Sequence, residues 1–134
     1  MANQILVVDT SLLLEHFRKT KRENSRLFRQ IDHYDQIFIS VVTEYEVLVG
    51  ATGAQAAFWQ ELLAQFQIMP LDSRTFEAAI AIKADLKRKR KSISLADLFI
   101  AATAVTLDLP FDTLNRKDFM HISQLQLLPD EAGF

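Results

Sequence analysis

Cysteine is absent from the 134-residue chain, which excludes disulfides, thiolate nucleophiles and Cys-ligated zinc together. Any metal must therefore be held by oxygen or histidine. Glycine and proline are scarce, three of each, and with 49% hydrophobic and 24% charged residues the composition is that of a folded globule, not of a low-complexity chain. No apolar run approaches the roughly 18 residues of a membrane span. The opening MANQILVVDT also lacks a basic flank before its short apolar stretch, so no secretory leader is expected and the cytoplasm is the default location. The length suits a single domain over residues 1–134, with little room for a second catalytic unit.

The formal net charge of -2 argues neither for nor against a nucleic-acid partner. Its distribution says more. Of 15 Lys and Arg, six lie within residues 18–29 and six within 83–91, leaving Arg74, Arg116 and Lys117 outside those blocks. Such blocks make positive surfaces, although they are more often solvated helix faces.

The apolar run Ile5-Leu-Val-Val8 ends in Asp9 and leads through Thr10-Ser11 into Leu12-Leu-Leu-Glu-His-Phe17, a buried strand running directly into a capped helix. A basic helix over about 23–33, a strand at 37–39 and a helix from about Thr43 to Gly50 or Gly53 follow. The rest reads as a helix over 54–65, a strand over 66–71, a long amphipathic helix over 72–91 and an almost wholly apolar helix over 94–107. A strand over 110–114, a short helix over 115–121 and a strand over 125–128 precede the acidic end Asp130-Glu131. Strands alternating with helices predict an α/β fold with a parallel sheet covered on both faces, in which sites form at strand carboxyl ends.

The most informative residues are acids embedded in apolar sequence. Asp9 is the only charge among the first fourteen residues, and Asp97 the only one between Lys91 and Asp108. Burying an unpaired carboxylate costs on the order of several kcal/mol, so such positions need a partner or a purpose. Glu46 is the third candidate, sharing a helical face with Val42, Val49 and Gly50 that would aim it at the sheet. Each acid also has a simpler role. Thr43 with Glu46, and Ser94 with Asp97, fit the [ST]-x-x-[DE] capping pattern, and Asp9 can cap the helix that begins near Ser11.

Brought to one rim, however, these carboxylates would repel unless a cation sat between them. Oxygen-only ligation favours Mg²⁺ or Mn²⁺, and such ions activate water and neutralise charge on the oxygens of a phosphodiester. Phosphoryl chemistry is the natural reaction class. Asp118 is the best fourth acid; Asp112 is expected to point into or along its strand.

The sequence resembles the PIN-domain ribonucleases, and within them the VapC-like toxins of type II toxin–antitoxin pairs. Val7-Val8-Asp9-Thr10-Ser11 matches the family opening, and Glu46-Val-Leu-Val-Gly50 its second motif. Ser94-Leu-Ala-Asp97-Leu-Phe-Ile-Ala-Ala-Thr-Ala104 matches the third, and Thr113-Leu-Asn115-Arg-Lys-Asp118-Phe119 the last. The resemblance implies a three-layer α/β/α domain around a five-stranded parallel sheet, a metal-dependent endoribonuclease acting on single-stranded or loop RNA, a homodimer, and an antitoxin protein that blocks the site. It implies that Asp9, Glu46 and Asp97 ligate Mg²⁺ or Mn²⁺ and that Asp118 supports a second or weaker ion. Thr10, Thr113 and Asn115 would bond ligands or phosphate. In many PIN domains the position of Asn115 is an Asp, so here either Asp118 or Asn115 completes the site. Arg116 and Lys117, beside the last motif, are candidate contacts to the scissile strand.

The run Lys87-Arg-Lys-Arg-Lys91 is either an RNA contact or a solvated helix end. His16, His33 and His121 show no ligand spacing and read as core or surface residues. Two other functions compete with the nuclease. A receiver-like phosphoryl acceptor or phosphatase would use Asp9 but leaves Glu46 and Asp97 unexplained, and a non-catalytic PIN-like module would keep the fold and an RNA- or protein-binding surface.

Overall fold

The structure, a computed structural model, describes residues 3–130, so Glu131 of the acidic end lies outside the described residues. The chain runs β1 (Ile5–Val8), α1 (Thr10–Arg18), α2 (Arg26–His33), β2 (Gln36–Ser40), α3 (Val41–Val49), α4 (Ala56–Leu63), β3 (Gln67–Met69) and α5 (Ser73–Arg88). It continues with α6 (Leu95–Leu107), β4 (Pro110–Asp112), α7 (Arg116–Phe119) and β5 (Gln126–Leu127). The strands form one parallel sheet in the order β3-β2-β1-β4-β5.

Alternation along the strands divides the core into two layers. Leu6 and Val8 of β1, with Ile37 and Ile39 of β2, face α1, α2 and α4, where Leu12, Leu13, Leu27, Trp59 and Leu62 meet them. Val7 faces the opposite way, with Phe111 of β4, onto Ala79, Ile82 and Leu86 of α5 and onto the small residues Ala101, Ala102 and Ala104 of α6. The small side chains let α6 lie close to the sheet. The result is the expected three-layer α/β/α architecture with a five-stranded parallel sheet.

β1 lies at the centre, and the chain leaves it on one side toward β2 and β3 and returns on the other to β4 and β5. The carboxyl ends of β1 and β4 thus flank the topological switch point, the position where open α/β sheets build sites.

Several boundaries differ from the sequence reading for local reasons. A 3-10 turn, Arg22–Asn24, precedes α2, because the Ser25 hydroxyl accepts the Phe28 N–H at 3.0 Å and starts the helix there. Helix α3 begins before Thr43, since Ser40 supplies the cap by accepting the Val42 N–H at 3.0 Å. Another 3-10 turn, Gly53–Gln55, leads into α4. Helix α5 stops short of the basic run's end. Arg90 turns left-handed, with φ 59°, and the N–H groups of Arg90 and Lys91 bond the carbonyls of Lys87 and Leu86 in a Schellman closure. In that run Arg88 and Lys89 pair with Asp85 at 2.9 and 2.7 Å, and Lys89 also donates to the His121 carbonyl. Both are thus tied to their own helix end. Among the described residues no helix is long and apolar enough to cross a membrane.

Phe111 is fully buried, with its ring centroid 4.9 Å from that of Phe119. Phe111→Ala is expected to lower the unfolding free energy by about 3–5 kcal/mol in urea titration, whereas Ile80→Ala, on an exposed side chain, should change it by less than about 1 kcal/mol.

Candidate active site

Asp9 follows the last residue of β1, is 3% exposed, and is held on three sides. Its Oδ1 accepts the N–H of Ser11 at 3.1 Å and the Ser11 hydroxyl, and its Oδ2 accepts the Thr113 hydroxyl at 2.6 Å. Its own N–H donates to the Asp112 carbonyl at 3.2 Å, continuing the β1–β4 ladder by one bond. The capping role therefore exists, yet it uses only one edge of the carboxylate.

Glu46 reaches the same place from α3. It does not face the sheet, as its spacing from Val42 and Val49 suggests; Thr43 and Val47 turn inward instead, and Val49 is exposed. Nor does it cap α3, whose cap is Ser40. Its Oε1 accepts the Thr10 hydroxyl at 2.6 Å, and that hydroxyl lies 3.1 Å from Thr43 Oγ1, so the first turn of α1 is tied to the middle of α3. Asp97 sits in the first turn of α6, where Ser94 caps the helix by accepting the Asp97 N–H at 3.2 Å. The predicted cap is present, and the Asp97 carboxylate stays half-buried beside it.

Asp9, Thr10, Glu46, Asp97 and Asn115 line one open cleft of about 510 Å³ at the switch point. Asp97 also borders a neighbouring cleft of about 410 Å³ with Ser92, Ser94 and Asp118. Asp118 is exposed and approaches Asp97 from that second side. The other predicted residues separate. Thr113 is buried against Asp9 and accepts the Asn115 N–H at 2.9 Å, so it supports the carboxylate and does not face the cleft. Arg116 donates to the Leu128 carbonyl, and neither it nor Lys117 lines either cleft.

A PIN-domain family model matches residues 6–124. The chain is 30% identical over 132 residues to a Ribonuclease VapC of Rickettsia bellii, an alignment covering 92% of this chain and 94% of the relative. This chain is a PIN domain of the VapC family. Its fold superposes on a toxin–antitoxin complex from Klebsiella pneumoniae with a TM-score of 0.75 at 28% identity, covering 92% of this chain and 96% of that one. A DNA-bound VapBC from Salmonella typhimurium gives 0.81 at 19% identity, covering 93% and 97%, a likeness of fold alone.

The electrostatics of this PIN domain suit a cation. Burial raises Asp9 from 3.8 to about 6; bonds from Ser11 and Thr113 oppose that rise, and the negative charge of Asp97 adds to it. Asp97 is raised as well, first by burial and then by Asp118 and Glu46, against a lowering bond from Ser94. The neighbouring charges that raise the two groups are carboxylates. PIN-domain ribonucleases depend on a divalent cation, and an all-oxygen, net-anionic cleft fits one. Among the described residues no three carboxylates or imidazoles converge tightly enough to cage an ion.

Sequence reasoning passed over three cleft residues, Glu15, Arg18 and Lys19, which line it from α1. The signal was available for two of them: Ser11, Glu15 and Arg18 recur at three and four residues, one helical face continuing from Asp9. It also left Asp112 without a partner, although its carboxylate receives the buried guanidinium of Arg26.

Because the folded Asp9 titrates above its unfolded value, its ionisation costs stability. The cost is absent below about pH 4, grows as the pH rises toward 6, and is fully present above that. Asp9→Asn is therefore expected to stabilise the metal-free protein by on the order of 2 kcal/mol at pH 7 and to leave it nearly unchanged near pH 4, as read by denaturant titration at both values. Adding Mn²⁺ at pH 7 should raise the melting temperature of the parent protein but not that of Asp9→Asn.

Proposed function

We propose that this PIN domain is a divalent-metal-dependent endoribonuclease, the toxin of a VapBC-type pair, using Mg²⁺ or Mn²⁺. The observation that carries this is the convergence of Asp9, Glu46 and Asp97 on one cleft at the sheet's switch point, in a chain whose curated relative is named a ribonuclease. The solved toxin–antitoxin complex supports a cognate antitoxin protein as partner. The family resemblance supports a homodimer working in the cytoplasm on single-stranded or loop RNA, with residues 1–134 as one nuclease unit. Family membership leaves no role for the phosphoryl-acceptor reading of Asp9.

In this reading Asp9, Glu46 and Asp97 would hold the cation, and Asp118 would serve a second or weaker position through the adjoining cleft. Bound there, the cation supplies an activated water and neutralises charge at the scissile phosphate. The protein's share is placement. Thr10 fixes Glu46, Ser11 and Thr113 fix the two oxygens of Asp9, and Asn115 at the cleft's edge offers an amide to phosphate or water. Arg18 and Lys19, on the cleft wall, supply positive charge for the flanking phosphates. Arg116 and Lys117 are left as outer contacts to the strand.

Incubating transfer RNA, ribosomal fragments and unstructured oligomers with Mg²⁺, Mn²⁺ or EDTA tests this. The parent protein should cut in either metal and not in EDTA, and Asp9→Asn and Asp97→Asn should each lose at least about 100-fold in rate. Equal cutting by parent and variants, or cutting in EDTA, overturns it. Arg18→Ala with Lys19→Ala should raise KM several-fold and flatten the salt dependence with little change in kcat, seen in cleavage kinetics at two ionic strengths.

A further inference from the structure

Asp112 is 2% exposed, and its carboxylate is fully engaged: Nε and an Nη of Arg26 donate to it at 2.8 and 3.0 Å, and Nε2 of Gln30 at 2.8 Å. Arg26 and Gln30 are buried too. A buried ion pair adds little net stability over apolar side chains of similar shape, so stability alone does not account for it. What a forked guanidinium–carboxylate pair supplies is a fixed position and angle.

The position it fixes is that of the catalytic rim. The Asp112 carbonyl accepts the Asp9 N–H, and the next residue, Thr113, donates its hydroxyl to Asp9 Oδ2. Strand β4 has only three residues and its outer neighbour β5 only two, so few ladder bonds hold this end of the sheet. On the other side the clamp is anchored to α1. Glu15 Oε1 accepts the backbone N–H of Arg26 at 2.8 Å, and His16 Nδ1 lies 2.7 Å from the Ser25 hydroxyl that caps α2. A carboxylate rotates readily about its last torsion. With Oδ1 held by Ser11 and Oδ2 by Thr113, that rotation stops only while Thr113 keeps its place.

We infer that Arg26, Gln30 and Asp112 form a positioning clamp, which sets the Thr113 hydroxyl against Asp9 and thereby fixes the orientation in which Asp9 meets the divalent cation. This role rests on the reading of Asp9 as a cation ligand. None of the three lines the cleft; they act through Thr113.

The test compares the full-length parent with an apolar replacement of the whole clamp, Arg26→Met with Gln30→Leu and Asp112→Leu, with Thr113→Val, and with the four changes combined. Replacing all three together removes the guanidinium and the carboxylate it faces as a pair, so the melting temperature should stay within about 5 °C of the parent. Mn²⁺ affinity, read by electron paramagnetic resonance titration, should fall roughly tenfold in the clamp variant and in Thr113→Val alike. The combination should lose no more than either, because both sever one chain of contacts. Unchanged Mn²⁺ affinity in the folded clamp variant, or losses that multiply, overturns the clamp. Should the apolar variant not fold, Arg26→Lys decides: it keeps the charge but not the fork, and must weaken Mn²⁺ binding with the far-ultraviolet circular dichroism preserved. Asp9→Asn separates the two levels. If it abolishes Mn²⁺ binding while the clamp variant binds normally, only the clamp fails; if it binds Mn²⁺ like the parent, the site reading fails and the clamp with it.

Discussion

The bond from Thr113 to Asp9, 2.6 Å long and sealed from solvent, joins the two strands whose carboxyl ends make the site. Nearly everything at the rim takes its position from this junction. Ser11, which bonds Asp9 on the other edge, also accepts the Leu114 N–H at 2.9 Å, so the loop after β4 is stitched to the start of α1 by two hydroxyls. Asn115 reaches the cleft as a result, and α1 launches from the same residues toward Glu46 through Thr10. A small set of hydroxyl–carboxylate bonds thus coordinates β1, β4, α1 and α3.

The same junction explains why the cleft is charged as it is. Carboxylates brought this close to the sheet's edge pay for it in desolvation and mutual repulsion, visible in the upward shifts of Asp9 and Asp97. Arginine is nearby but committed elsewhere, since the Arg26 guanidinium is spent on Asp112. Asp9, Glu46 and Asp97 therefore meet the cleft without a salt bridge from Arg26. Among the described residues that line the cleft, Arg18 and Lys19 at the end of α1 carry the positive charge.

Much of this was legible from single positions. Asp9 and Asp97 stand out because each is the lone charge in a long apolar stretch, and the alternation of Leu6, Val7 and Val8 between two cores is the ordinary consequence of a doubly covered parallel strand. The motif marks Glu46 but not its direction, because helical spacing gives a face and not the neighbour it meets; the neighbour is α1, not the sheet. Capping patterns proved ambiguous in the same way. Ser94 caps as expected, whereas Ser40 takes the role offered to Thr43, a choice settled by where β2 ends.

The sequence by itself determined the α/β class, the strand-end position of Asp9 and the identity of the acids, because periodicity and isolated charge are local properties of the chain. Only the tertiary structure decided which residues support those acids and which reach the cleft. Arg26 and Asp112 are 86 residues apart and meet only because α2 lies across the end of β4. Thr113 and Arg116, three residues apart, part company because one points inward at Asp9 and the other binds the carbonyl of Leu128. Contacts of that kind depend on how separate elements pack, and no local pattern of residues encodes them.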